Sequence, residues 1–202
     1  MGVDQLSFVS RETIQKLRAF EALVLKWTKK INLVSSGDAQ HLWDRHIIDS
    51  AQIYPHAPPS GDWLDIGSGG GFPGIVAAII GAELDPQRCF TFVDSDQRKC
   101  AFLRTVSREL DLSATVLAAR VDEIPPIGAT VLTARALDDL TSLLYHAERH
   151  LLASGTALFP KGASWQKENE EAMKFWSYSL DVISSETNSD ATILKIKELS
   201  RV

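Results

Sequence analysis

Cysteine is scarce. Cys89 and Cys100 are the only two, and their spacing fits neither a zinc site nor a redox pair. Both are expected as reduced thiols in or near a core, as in a cytoplasmic protein. No apolar run is long enough to suggest a membrane span. Asp4, Arg11 and Glu12 stand where a signal peptide would need apolar residues, so none is expected. Met1-Gly2 could begin a myristoylation signal, but Leu6 occupies the position that needs Ser or Thr. Positive charge is short as well: 21 Lys and Arg against 26 Asp and Glu leave a net charge of −5. That excludes a chain coated in positive charge for nucleic acid. It leaves room for a local basic face, because phosphate contacts need only a cluster. Repeats and low-complexity segments are absent.

What is present is ordinary globular material. Hydrophobic residues make up 45% and charged residues 23%, enough for a packed core. The length suits one α/β domain with a modest extension. Over residues 10–31, Ile14, Leu17, Phe20, Val24, Trp27 and Ile31 recur at steps of three or four. This is the stripe of an amphipathic helix with its apolar face in the core. Ser10 is its expected N-cap, and Lys16, Arg18, Lys26, Lys29 and Lys30 form its solvated face. A second helix is expected after Asp38, running toward Tyr54, before Pro55, Pro58, Pro59 and Gly61 break the chain. Residues 1–58 thus read as an N-terminal helical extension and 59–202 as the main domain. From there strands and helices alternate. Strands are expected at 63–66, 89–93, 114–117, 130–133 and 156–159, and helices at 74–81, 96–110, 138–152 and 164–176. Two closing strands, 179–183 and 192–196, flank a polar turn at 188–190. Such alternation builds a mostly parallel sheet with helices on both faces.

The most informative stretch is Leu64-Asp65-Ile66-Gly67-Ser68-Gly69-Gly70-Gly71-Phe72-Pro73-Gly74. An apolar strand runs into a turn nearly free of Cβ atoms. Glycines there allow unusual dihedrals and let a ligand touch the backbone. The place is the carboxyl end of the first parallel strand, where open α/β sheets bind ligands. Pro73 suits the first turn of the following helix. Gly69, Gly71 and Gly74 fit the G-x-G-x-x-G pattern, so a nicotinamide-dependent oxidoreductase is one reading. A tight turn without a ligand is another. Gly67-x-Gly69-x-Gly71 has the spacing of S-adenosylmethionine-dependent methyltransferases and favours that class. Asp65 precedes the loop, placed to support its amides or to meet a ligand's ammonium group. Asp94 ends the next strand, where an acid accepts hydrogen bonds from the ribose of either cofactor.

The segment from Gly67 to Gly74 resembles the cofactor loop of the RsmG (GidB) family, bacterial methyltransferases that modify N7 of guanine 527 in 16S ribosomal RNA. Other elements follow in the family's order: Asn32-Leu33, His46-Ile47-Ile48-Asp49-Ser50, Asp94-Ser95 with Arg98-Lys99, Arg120-Val121, Arg135-Ala136 and Lys161-Gly162. The likeness runs from Leu17 to Lys197. It implies a Rossmann-like class I methyltransferase fold: a seven-stranded, mostly parallel sheet with helices on both faces, and the N-terminal helical extension roofing the site. It implies S-adenosylmethionine as cofactor and the 16S RNA of the 30S subunit as partner. A cytoplasmic monomer without membrane attachment or bound metal is expected. By this resemblance Gly67 and Phe72 line the methionine side of the cofactor, with Asp65, Gly69 and Gly71 completing the loop. Asp94, Ser95 and Asp96 meet the ribose and adenosine, and Val121 and Asp122 the adenine. Arg135 sits beside the cofactor at the mouth where RNA enters. The chain departs from the pattern twice. Val34 replaces a usual Thr, so any hydroxyl role there is lost. Asp138-Asp139 puts two acids where small or apolar residues are commoner; they either cap the next helix or weaken phosphate binding nearby.

Methyl transfer to guanine N7 is an in-line displacement on a sulfonium carbon. N7 already exposes a lone pair, so no proton need leave first, and positioning and exclusion of water matter most. Neither a Ser-His-Asp arrangement nor a carboxylate pair is expected. The target base must be presented outside a stack. Arg135, Lys161 and His46 are the positioning candidates. His46 and Asp49 share a helical face, and either look into the cleft or pair to bury a helix end. Candidate RNA contacts are Arg98, Lys99, Arg120, Arg135 and Lys161. Arg98 and Lys99, near a helix N-terminus, suit solvated surface better than a phosphate grip; the location of Arg120 and Arg135 favours function, with scaffold pairs to Asp94 or Asp122 as the alternative. Two alternatives stand beside the ribosomal RNA reading: a class I methyltransferase acting on another RNA, a protein or a small molecule, and a non-catalytic cofactor- or RNA-binding module.

Overall fold

The alternating apolar segments assemble into one sheet in a computed structural model, which describes residues 6–35 and 37–202. Met1, Gly2 and Asp4, read above against N-terminal signals, lie outside the described residues. The strands are β1 (Trp63–Ile66), β2 (Phe90–Asp94), β3 (Ala114–Ala118), β4 (Ala129–Ala134), β5 (Leu151–Lys161), β6 (Trp176–Ser184) and β7 (Thr192–Arg201). Their order in the seven-stranded sheet is β3-β2-β1-β4-β5-β7-β6. The first five run parallel, and β7 lies antiparallel between β5 and β6. The chain moves one way from β1 to β3 and the other way from β4. The gap between the carboxyl ends of β1 and β4 is therefore the switch point where a ligand crevice opens.

Every residue of β1 is buried, as expected for a central parallel strand covered on both faces. Trp63 faces one apolar layer, with Phe90, Phe92 and the helices α3 (Gly74–Leu84) and α4 (Gln97–Glu109). Leu64 and Ile66 face the other, with α5 (Leu140–His150) and α6 (Trp165–Ala172). Helix α1 (Arg11–Thr28) begins as its sequence requires: the Ser10 side chain accepts from Thr13 N at 3.2 Å. Its Leu17, Phe20 and Val24 are buried in the same core as α3 and α4. Asp96 caps α4 by accepting from Arg98 N and Lys99 N. No helix among the described residues is long and apolar enough to cross a membrane.

Several boundaries differ from the sequence expectations, most for a local reason. The second helix is broken into a 3-10 turn (Asp38–His41), a π turn (Trp43–Ile48) and the short α2 (Asp49–Ala51). Trp43, Ile47 and Ile48 of the π turn and Ala51 of α2 are buried. Helix α5 is shorter at both ends than 138–152. Asp139 stands outside it as the cap, accepting from Ser142 N at 3.1 Å, and Leu151 already pairs with Ala129 at the start of β5. Helix α6 ends at Ala172 because Trp176 opens β6 opposite Arg201. Strand β7 runs on to Arg201 as a ribbon with β6, past its pairing with β5. Pro73 immediately precedes α3, with a cis Phe72–Pro73 peptide.

Candidate active site

The turn after β1 is made of backbone. Gly67, Gly69 and Gly71 have φ of +64°, +50° and +88°, a region that side chains rarely adopt. Three bonds pin the loop: Ser68 N donates to Val93 O at 3.1 Å, Ser68 Oγ to Asp65 O at 2.8 Å, and Gly69 N to Asp94 Oδ2 at 2.8 Å. At Gly71 a Cβ would lie 2.7 Å from Ile75, so the position is sterically closed. Gly69 is open, its Cβ position 3.9 Å from Asp94 Oδ2. Leu33 of the N-terminal segment packs on the loop, its carbonyl oxygen 3.0 Å from a Cβ position at Gly70. Val34, the first departure from the family pattern, is buried in the core beside it.

Two carboxylates adjoin this turn in different ways. Asp94 spans two loops, accepting from Gly69 N and, through Oδ1, from Asp96 N at 2.8 Å. Asp65 is completely buried. Its Oδ1 accepts from Thr133 on the neighbouring strand at 2.6 Å, and Thr133 Oγ1 accepts in turn from Trp63 Nε1 at 2.9 Å. Burial pushes the Asp65 carboxyl up to about 7, against the pull of the Thr133 hydroxyl and, after it, of Ser68 and the Gly74 amide. The Ser68 hydroxyl is spent on the Asp65 carbonyl, and Oδ2 has no hydrogen-bond partner among the described residues. Asp65 is fully buried and its carboxylate bonds to the neighbouring strand and, among the described residues, to no loop amide.

Two clefts open at the carboxyl ends of the strands. The smaller, about 340 Å³, is lined by Gly67, Asp94, Ser95, Lys99, Arg120, Val121 and Asp122. The sequence-derived cofactor residues of three separate loops thus meet in one place. The larger, about 690 Å³, takes Arg45, His46, Asp49, Arg135, Lys161 and Thr187 among its walls. Ala136 and Asp138 line both clefts, so the two border each other there. Leu137 covers Gly67 so closely that a Cβ on that glycine would lie 2.7 Å from its Cδ1. Ala136 has φ +52°, a backbone conformation that costs a non-glycine residue on the order of 1 kcal/mol.

Charged groups in the larger cleft are tied to one another. Asp49 Oδ1 accepts from Gln52 Nε2 and Thr187 Oγ1, both at 2.8 Å, and from Ser185 Oγ at 3.2 Å. Asp49 Oδ2 faces Arg135 NH2 at 3.6 Å, and Arg135 also donates to Arg45 O at 3.3 Å. Arg135 therefore joins β4 to the N-terminal segment, where the sequence had suggested Asp94 or Asp122 as scaffold partners. Lys161 Nζ donates to Asp138 O and to Glu168 Oε2, each at 2.8 Å, holding the β4–α5 loop in place. The His46 ring stands 5.1 Å from Phe72, and His46 and Asp49 both face the cleft.

Other predicted site residues lie outside both linings. Phe72 packs inward between Phe20, 5.2 Å away, and His46. Asp96 is occupied as the α4 cap and pairs with the exposed Arg98 at 3.2 Å. Of the second departure, Asp139 is the α5 cap, whose amide bonds with Ser142 lower its pKa. Asp138 stands at the border of the two clefts. Sequence reasoning missed Arg45, Leu137, Glu168, Ser185 and Thr187. The polar turn at 188–190 was the one sign of the last two, and nothing local says that it reaches Asp49.

Comparison with known proteins agrees with this geometry. Ribosomal RNA small subunit methyltransferase G of Ruegeria pomeroyi is 51% identical over 194 residues, covering 96% of this chain and 95% of the relative. The protein of that name in Paramagnetospirillum magneticum is 41% identical, covering 100% of this chain and 98% of its own. Among solved structures, a SAM dependent methyltransferase from Aquifex aeolicus superposes with a TM-score of 0.62 at 12% identity, covering 85% of this chain and 97% of its own. M. jannaschii TYW2 in complex with AdoMet gives 0.58 at 10% identity, covering 87% and 80%. At such identities the likeness is one of fold, and the fold is the Rossmann-like class I arrangement. The family described as rRNA small subunit methyltransferase G matches residues 13–192, and the chain belongs to that family.

Proposed function

We propose that this protein transfers a methyl group from S-adenosylmethionine to N7 of guanine 527 in the 16S RNA of the small ribosomal subunit, as a cytoplasmic monomer. S-adenosylmethionine, when bound, supplies an electrophilic methyl group. The reading rests on the border at Ala136 and Asp138, where the cleft beside the glycine turn meets a larger one that carries Arg45, Arg135 and Lys161. The residues of the smaller cleft suit the cofactor. Open backbone at Gly69 admits a close ligand beside the turn, and Asp94 and Ser95 offer acceptors to a ribose. Asp122 offers an acceptor to the amino group of an adenine. Leu137, lying over Gly67, gives that wall an apolar patch.

On the acceptor side, Arg45 and Arg135 supply the positive edge that a phosphate needs. His46, steadied by Phe72, gives a flat face for an unstacked base. Guanine N7 is an acceptor with no proton to lose, so a site that orients the base suffices, and Lys161, Glu168 and Asp49 are free to serve as struts. Base-resolution mapping of 16S RNA from cells lacking the protein tests this. The N7 methyl at guanine 527 should vanish and return on complementation; its persistence would overturn the reading.

A further inference from the structure

The turn that carries Val121 and Asp122 is short, a single 3-10 turn (Val121–Glu123) with no buried residue of its own. An isolated turn of this kind has little to hold its shape. Here it is held from outside by one face of α5. His150 Nε2 lies 3.3 Å from Val121 O, and Arg149 NH2 donates to Ile124 O at 3.0 Å. The third member of the face, His146, addresses a side chain instead of the backbone: its buried Nδ1, which has no hydrogen-bond partner among the described residues, stands 3.5 Å from Asp122 Oδ1. His146 is largely buried and lines the smaller cleft. On the other side Arg120 NH2 lies 3.6 Å from Asp122 Oδ2, but Arg120 is two-thirds exposed, with a side-chain accessibility of 68%. A screened, flexible arginine fixes little, whereas an imidazole packed on a helix fixes a direction.

The geometry points to His146 as a positioning residue for the cofactor. It orients the Asp122 carboxylate toward the 6-amino group of the adenine, and so makes the site select an aminopurine over an oxopurine. This rests on the proposal that Asp122 meets the adenine. Burial lowers the pKa of His146, the carboxylates of Asp122 and Asp138 oppose that, and Arg149 adds to it. The ring is therefore neutral at physiological pH. As the Nδ1–H tautomer it aims a donor at Asp122 Oδ1 from 3.5 Å, a bond that closes only when the carboxylate turns toward it, and Oδ2, faced by the exposed Arg120, is left for the ligand. A carboxylate free to rotate would accept from either ligand face and discriminate less. An amino-to-oxo change in the purine would also turn the ligand's donor into an acceptor facing a carboxylate, a mismatch that only an oriented carboxylate enforces strongly.

Calorimetric titration of the full-length protein with S-adenosylhomocysteine and S-inosylhomocysteine tests this. The wild type should prefer the adenosyl ligand. In His146→Leu that preference should fall about tenfold, through weaker adenosyl binding and unchanged inosyl binding. His146→Asn, whose side-chain amide can stand in for the Nδ1–H, should restore most of it. Equal losses for both ligands would mean that His146 is structural and would overturn the proposal. An unchanged preference in His146→Leu while Asp122→Asn abolishes it would overturn the role of His146 alone. An unchanged preference in both variants would overturn the adenine assignment itself. A readout independent of mutation is the imidazole nitrogen shift of His146 in the ligand complex: a protonated Nδ1 is expected, and a bare Nδ1 would refute the proposal.

Discussion

The two clefts differ in what they are made of. The smaller is framed by main-chain geometry: it opens beside a turn with three glycines at positive φ, of which Gly67 lines it, with a carboxylate shared between two loop amides and a short turn clamped by α5. The larger is built from side chains that come from the π turn, β4, β5, α6 and the β6–β7 turn, each bonded to another. A backbone site is shaped before its ligand arrives, and its weakness is any added atom. A side-chain site keeps its shape only while its bonds hold, and its weakness is any lost partner. Substitutions should therefore fail in opposite ways on the two sides.

The sharpest test adds atoms to the backbone side. Gly69→Asp keeps the local conformation accessible, since Asp tolerates positive φ better than most residues, and the space there is open. It places a second carboxylate beside Asp94, where donor binding would have to bury both. Cofactor binding should fall below calorimetric detection while the melting temperature stays within a few degrees. Unchanged affinity would break the contrast and the loop assignment together. The next test removes a partner on the other side. Arg135→Ala should lower activity on 30S subunits about a hundredfold, in line with the ~1.5–3 kcal/mol of a charge-assisted contact to substrate. Donor affinity should change less than threefold. The fold should survive, because Asp49 retains Gln52, Ser185 and Thr187. A loss of melting temperature that accounts for the whole activity defect would make Arg135 scaffold only.

The same contrast decides what was legible in the sequence. The backbone cleft announces itself because its parts are contiguous. Residues 64–74 carry the strand, the turn and the start of α3, and Asp94 and Asp96 each sit at the end of an element that apolar periodicity locates. Strand β1 and the caps Ser10 and Asp96 fall where their residue types demand. The side-chain cleft has no such signature. His46 and Asp49 could be placed on one face of a helix, but only tertiary packing brings the β6–β7 turn to Asp49. Lys161 is a lysine after a strand, and its sequence gives no hint that it holds the Asp138 carbonyl. Phe72 belongs to the glycine motif, yet its ring turns into the core because α1 supplies Phe20 as a partner.

Beneath the backbone cleft lies one exception to its apolar floor, and pH should expose it. Asp65 has its carboxyl pushed up to about 7 from an ordinary 3.8, so the folded protein favours the protonated form. That contribution is complete below the unfolded value and is lost as pH rises through the folded one. Between pH 5 and pH 7 it should remove about 2 kcal/mol of stability. Asp65→Asn, uncharged at every pH, should flatten that slope in melting curves recorded across this range. An identical slope in the variant would assign the pH dependence to other groups and leave Asp65 ionised and accommodated.

The smallest effect separates the two acids that interrupt the family pattern. Asp139 accepts from Ser142 N and starts α5, whereas the Asp138 carboxylate accepts only from its neighbour's amide and faces the border of the clefts. Asp139→Ala should cost about 1 kcal/mol, as loss of an N-cap does. Because α5 holds the Val121–Glu123 turn, it should also weaken the donor slightly. Asp138→Ala should leave stability within about 0.5 kcal/mol, as for a surface substitution away from caps and packing, and should alter methyl transfer instead. Chemical denaturation and single-turnover methylation on the two variants would read these losses separately. If Asp138→Ala proved the more destabilising, the cap would be shared, and the acid at the border would belong to the scaffold.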